Sequence, residues 1–292
     1  MISPQRVDAT LLAALRISAG LAGVLLLIIF FFMAAESWAG LRDIGPLRFV
    51  LDASWHPEPA AANGSFRITA MVAATLAATA GAVVLATPLA IGAALFLRFY
   101  APPGLAGPFK RIVELLAGVP SVVYGFWGLV VLVPLLATLG GPGQSLLAGI
   151  LILTLMILPT ITLLAHAALV SVPPAYLQAA AALGMSRWTT IRSVALPAAR
   201  GGLFTGIVLG TGRAAGETMA VLMVCGNIVQ LPDSLLAPVR TLTANIALEM
   251  AYALGDHRAA LFVSGLVLML LVTGLVLAVA RLDASSGRFR HG

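Results

Sequence analysis

Gly212-Arg213-Ala214-Ala215-Gly216-Glu217-Thr218-Met219 places an arginine and a glutamate inside a long apolar run that extends to about Asn227. From Ser171 that run is preceded by a segment of another kind. Ala175-Tyr176-Leu177-Gln178-Ala179-Ala180-Ala181-Ala182-Leu183 lies between Pro173-Pro174 and Gly184, and a second short run ends at Leu196-Pro197. The prolines start a helix and the glycine stops it. The Ala-rich helix is too short to span a bilayer and too apolar for a freely solvated loop. It reads as a handle outside the membrane, and the charged run as the lining of a path through it.

The rest of the chain agrees with a bilayer. It is 60% hydrophobic and 10% charged, where a soluble domain carries about 25% charge. Several apolar stretches exceed the roughly 20 residues that cross a hydrocarbon core. Six spans fit: about Ile17–Ala35, Ile68–Leu97, Ile112–Leu139, Leu146–Leu169, Leu203–Val229 and Ala259–Ala280. The first is longer than a secretory apolar region, about 7–15 residues, and Met33 occupies the −3 position for cleavage after Ala35. It reads as a retained anchor. The expected architecture is all-α and polytopic, with six transmembrane helices. Residues 1–67 form an anchor helix and external loop, with acids such as Glu58 beside Pro59. Residues 68–281 form a transmembrane core carrying the loop 171–200, and 282–292 form a basic tail.

The net charge of +6 is almost all arginine, and Lys110 is the only lysine. These charges sit at the ends of apolar runs, which is a membrane-orientation pattern and not a nucleic-acid face. With both termini inside, Arg6, Arg16, Arg98, Lys110, Arg111, Arg187, Arg192, Arg200, Arg281, Arg288 and Arg290 are cytoplasmic; Arg42, Arg48, Arg67, Arg240 and Arg258 are external. Eleven against five selects that orientation and makes loop 171–200 and the tail cytoplasmic. The single cysteine, Cys225, excludes an internal disulfide and a multi-cysteine metal site.

Arg213 and Glu217 are four apart and are expected on one helix face. A charged group at mid-span costs about 2.5–3.5 kcal/mol on insertion scales, so both should face the bundle interior or water. Two readings remain open: a structural ion pair, or an anion site in which the guanidinium fork holds oxyanion oxygens. Thr218 follows the pair, and Ser121 and Tyr124 follow a break at Pro120. That break is either a packing kink or an opening that adds donors to the pathway. Glu114 reads as a helix-start charge, His166 as interfacial, and Asn227 and Gln230 as marking the external mouth. Gly202, Gly206 and Gly210, spaced by four, permit close helix approach.

A short helix that lacks basic residues before Arg187 suits a groove in a protein partner better than a lipid surface. Gln178-Ala179-Ala180, Gly184, Val194, Leu196 and Pro197 resemble the EAA loop of ABC-importer permeases, with Gln178 in place of the usual glutamate and Val194 in place of isoleucine. The resemblance implies that these residues form a coupling helix seated in a groove of an ATP-hydrolysing subunit. Glu114-Leu115-Leu116-Ala117-Gly118-Val119-Pro120-Ser121-Val122-Val123-Tyr124-Gly125 and Gly212 to Val221 resemble the permeases of phosphate importers, PstC-type rather than PstA-type. That likeness covers about 68–280 and implies a type I ABC-importer permease fold in a bacterial inner membrane. It implies as partners ATPase subunits that use ATP and magnesium, a PstA-type sister permease and an extracytoplasmic phosphate-binding protein, with no cofactor on this chain. Lys110 is followed by Arg111, so the chain lacks the G-x-x-x-x-G-K-[ST] phosphate cradle and is expected to be a non-catalytic subunit. The alternatives are a permease for molybdate, sulfate or phosphonate, a proton-coupled secondary transporter using Glu217, and a non-transporting scaffold.

Overall fold

The computed structural model describes residues 4–52, 54–57 and 64–288, with side chains over 11–52, 54–57, 64–279 and at 281. Glu58, Pro59 and Arg290 lie outside the described residues, as do the side chains of Arg6 and Arg288. In chain order the elements are α1 (Pro4–Asp43), α2 (Arg48–Leu51), β1 (Trp55–His56), β2 (Ser65–Phe66) and α3 (Thr69–Leu95), which runs on through a π-turn to Tyr100. Helix α4 (Pro103–Gly118) is followed by α5 (Ser121–Trp127), a π-turn (Gly128–Leu132) and α6 (Val133–Ala137). Next come α7 (Leu146–Val170), α8 (Pro174–Ala182), α9 (Arg187–Thr190), a π-turn (Ile191–Ala195) and α10 (Leu196–Ala215). The last are α11 (Met219–Val224), α12 (Leu242–Glu249) and α13 (Gly255–Arg288).

Among the described residues, five helical stretches are long and apolar enough to cross a membrane: Leu11–Asp43, Thr69–Tyr100, Leu146–Val170, Arg187–Ala215 and Gly255–Val279. The third expected span, Ile112–Leu139, is instead a pair, α4 and α5–α6, bent by 94°. Pro120 causes the bend: it has no N–H to give the Leu116 carbonyl, and Val119 before it is extended, at ψ 128°. The fifth span is also displaced from Leu203–Val229. It starts at Arg187, because the π-turn carries the helix through Leu196-Pro197 with Pro197 in the first turn of α10. It stops at Ala215, and residues 225–241 form a loop before α12. Helix α13 continues to Arg288, through much of the segment expected to be a tail.

The chain divides into two compact units, Met1–Arg67 with Glu249–Val267, and Ile68–Leu248 with Leu268–Gly292. In the first, the α1 side chains from Leu11 to Phe32 are all exposed, as suits a helix in lipid. Gly40 lets α1 meet α13: a Cβ there would lie 3.0 Å from the Ala259 carbonyl oxygen. The strands pair antiparallel, Trp55 opposite Phe66, over a small core of Phe49, Trp55 and Phe66. The buried Glu249 carboxylate accepts from Trp55 Nε1 at 2.8 Å and meets His257 Nε2 at 2.9 Å. The strands lie in the segment expected to be an external loop, and Glu249 reaches them from the end of α12.

The second unit is built on α3, α7 and α10. Ala74, Ala78, Ala82, Ala86 and Ala90 recur every fourth residue and are fully buried in its core. Gly202, Gly206 and Gly210 meet Ala168, Leu164 and Ile161 of α7. Small residues let the backbones close in where lipid is as apolar as the side chains it would replace. The amide of Leu242 donates to Thr75 Oγ1 at 3.0 Å, which ties the start of α12 to α3.

Candidate functional site

The expected pathway residues come from two broken helices that meet. The first break is Val119-Pro120 and the second is Gly216-Glu217-Thr218. Helix α5, starting just after the first, packs on α11, starting just after the second. Gly125 is the contact: a Cβ there would lie 2.8 Å from Ala220 Cα and 2.9 Å from Met223 Sδ. Backbone cannot yield as a flexible side chain can. Gly125→Val should therefore separate the two breaks and destabilise the chain by about 1–3 kcal/mol. A lowered midpoint in detergent thermal unfolding is the expected result.

The structure corrects the reading of Arg213 and Glu217 as neighbours on one helix face. Helix α10 ends at Ala215, so Arg213 lies in its last turn and Glu217 beyond its end. Among the described residues no salt bridge joins them. Each charge instead sits at a favourable helix end: a cation at the carbonyl end of α10, and a carboxylate at the amide end of α11, where Glu217 Oε1 accepts from Ala220 N–H at 3.1 Å. The Glu217 carbonyl accepts from Thr243 Oγ1 at 2.8 Å, which fixes the break from a third side.

Arg213 is half-buried, and its one hydrogen bond among the described residues is long: Nη1 to Thr160 Oγ1 at 3.4 Å. Thr160 lies near the middle of the 25-residue α7, so the guanidinium is deep in the bundle. It is also within electrostatic reach of the Tyr124 phenol. The Tyr124 hydroxyl donates to Leu116 O at 2.8 Å, the carbonyl that Pro120 leaves without its helical donor. Ser121 is half-buried and makes no hydrogen bond among the described residues, while Thr218 Oγ1 makes a 3.4 Å contact to Gly216 O. Thr160 and Thr243 are not legible in the sequence as site residues, since a threonine in a helix usually bonds its own preceding turn.

Asn227 and Gln230, expected to mark a mouth, hold their own loop. Asn227 Nδ2 donates to Leu222 O at 2.7 Å and Gln230 Nε2 to Pro238 O at 2.8 Å. Asn227 takes a left-handed φ of 54° beside a bridge between Gly226 and Val239.

The handle is a helix with two faces. Leu177 packs against a cluster that includes Ala165, Leu169, Ala195, Ala199 and Leu203, and Ala180 is buried. Gln178, Ala179 and Tyr176 face out, and Leu183 at the end is 80% exposed. Gly184, at φ 70°, ends the helix by a Schellman motif: Met185 N–H donates to Ala180 O and Gly184 N–H to Ala181 O. Three residues expected on the docking surface have other work. Ala180 is buried, and Leu196 with Pro197 is half-buried where α10 begins. The Arg187 guanidinium lies 5.3 Å over the Tyr100 ring and joins α9 to the end of α3.

A family model described as "Binding-protein-dependent transport system inner membrane component" matches residues 86–286. The phosphate transport system permease protein PstC of Mesorhizobium japonicum is 37% identical, over 96% of this chain and 92% of that protein. The protein of the same name in Haemophilus influenzae is 34% identical, over 89% and 87%. Among solved structures, the inward-facing MetNI methionine ABC transporter matches with TM-score 0.59 and 21% identity, over 73% of this chain and 92% of that one. A bacterial ABC transporter involved in the import of the acidic polysaccharide alginate matches with TM-score 0.62 and 16% identity, over 94% and 99%. At these identities the structural likeness is one of fold.

Proposed function

The chain belongs to the family of binding-protein-dependent transport system inner membrane components, and from that premise we propose that it is the membrane-spanning permease of an ATP-driven phosphate importer. The observation that carries the substrate is Arg213: a half-buried guanidinium deep in the bundle, without an ion pair among the described residues. A buried arginine of that kind is costly unless an anion uses it. The relatives named for phosphate transport support the same substrate.

The chain forms half of the pathway in the bacterial inner membrane, with both termini cytoplasmic, and a PstA-type sister permease forms the other half. An extracytoplasmic binding protein delivers phosphate to the outer end. ATPase subunits, which use ATP and magnesium, hold the outward face of α8 at Gln178, Ala179 and Leu183. The chain itself binds no cofactor and performs no catalysis. Motion reaches the site through one rod. Residues Arg187–Ala215 are continuous helix over 29 residues, about 43 Å at 1.5 Å per residue. Arg213 lies at the far end, where a 5° tilt at the base gives a displacement of roughly 4 Å.

Glu217 adds selectivity. Phosphate at neutral pH keeps a hydroxyl that can donate to a carboxylate, and sulfate does not. Glu217→Gln keeps an acceptor for the Ala220 amide while removing the repulsion. It is expected to narrow the preference for phosphate over sulfate by about tenfold or more, the worth of about 1.5–3 kcal/mol in one charged hydrogen bond. Competition between labelled phosphate and sulfate measures this, and unchanged discrimination would remove Glu217 from the selectivity account.

The function itself is tested in vesicles containing the chain, the sister permease, the ATPase and the binding protein. Uptake of labelled phosphate should require ATP and all four components. Uptake by this chain alone, driven by a pH gradient, would overturn the assignment.

A further inference from the structure

At the end of the bundle that carries α8, helices α3, α4 and α7 border an open cleft of about 540 Å³ with a second lobe of about 300 Å³. Lys110 and His166 line both lobes, Arg98 lines the smaller and Glu114 the larger. Both volumes fall in or near the roughly 300–1,000 Å³ range of ligand clefts. Buried polar atoms are nearly always paired, so an orphan calls for an explanation such as an absent ion. Five buried side-chain atoms among the described residues lack a hydrogen-bond partner, and two belong to this cleft: Arg98 Nε and His166 Nδ1. Arg98 makes no ion pair among the described residues; its guanidinium rests 5.7 Å over the neighbouring Phe99 ring.

Lys110 Nζ lies 3.5 Å from Glu114 Oε1 with both side chains 48% exposed. That is a weak solvent-facing pair, and it engages one of the three ammonium donors. The lining is therefore net cationic. Its position matters too. Thr160, Leu163, Ala167 and Val170 share one face of α7. Arg213 donates to the first of them and the others line the cleft. His166 is six residues beyond Thr160, about 9 Å along the axis.

We infer that this cleft is a second anion site, which takes a phosphate group on Arg98 and Lys110, with His166 Nδ1 placed to accept from a phosphate hydroxyl. The occupant is either inorganic phosphate or the headgroup of an anionic phospholipid, since both present the same oxygens. The site stands on the cleft and does not depend on the transport reading.

Lys110 is the only lysine, so its acylation by an amine reagent, read by peptide mass spectrometry, reports this site alone. The full chain is delipidated in a neutral detergent and labelled with inorganic phosphate, with dioctanoyl phosphatidylglycerol, or with chloride at matched ionic strength. At ten times its dissociation constant the occupant should slow labelling about tenfold. Protection by phosphate alone assigns a free anion, protection by the lipid alone assigns a headgroup, and either supports the site. Arg98→Gln should abolish protection and Arg98→Lys should retain it in part. Glu114→Gln, an exposed change that leaves packing alone, should strengthen it. Labelling that is equal in all three solutions overturns the site, as does protection unchanged by both Arg98→Gln and Glu114→Gln. Neither result touches four-component uptake, so the two readings fail separately.

Discussion

Arg213→Ala should reduce ATP-driven phosphate uptake by about 100-fold or more while leaving the fold at least as stable. Truncating one partner of a buried, hydrogen-bonded charge pair costs about 2–5 kcal/mol, and here the partner is the substrate. Stability goes the other way. In the resting chain Arg213 gives up only a 3.4 Å bond to Thr160, and removing it relieves about 2.5–3.5 kcal/mol of insertion cost. Were Arg213 and Glu217 a structural ion pair, the same substitution would strand a buried carboxylate and lower the unfolding midpoint. Arg213→Lys keeps the charge but loses the planar fork, so its uptake should fall between. Initial rates of labelled uptake, read beside thermal unfolding of the same preparations, separate the two accounts.

Leu183→Asp should uncouple the chain from its ATPase without harming the chain. Leu183 is 80% exposed at the end of α8, where it contributes nothing to its own core. An interface residue that acts as a hot spot is worth about 2 kcal/mol or more, so with Leu183 in that role the ATPase should be held about 30-fold more weakly. Leu177→Asp is the opposite case. Leu177 packs on the core under α8, so that substitution should unfold the handle before any partner is considered. Co-purification of the ATPase, with the melting curve of each variant, distinguishes them. A Leu183→Asp chain that retains its ATPase would place the contact elsewhere.

Length and apolar content are properties of whole segments, and they make five of the six expected spans and the short helix between them legible. Pro173, Pro174 and Gly184 each fix a local backbone geometry, so the bounds of α8 are readable as well. The end of α10 is harder. An apolar run from Leu203 to Val229 looks alike whether it is one helix or a helix, a break and a short second helix. The signal present was Gly216-Glu217-Thr218 before Met219-Ala220: a flexible residue, then side chains able to cap a new start. Reading it requires giving Glu217 a local backbone role and not only a charge. Pro197 misleads in the other direction, because a π-turn upstream absorbs its missing donor. Thr160 and Thr243 carry no local signal, since their partners are 53 and 26 residues away.

The central claim is that force enters at the outward face of α8 and is felt at the breaks beside Arg213. Cys225 is fully buried, so Ala179→Cys supplies a single accessible thiol on that face. Carrying a photo-cross-linker in the assembled importer, it should join this chain to the ATPase subunit, with a yield that changes when ATP is added. Adducts with lipid alone, in every nucleotide state, would contradict the account.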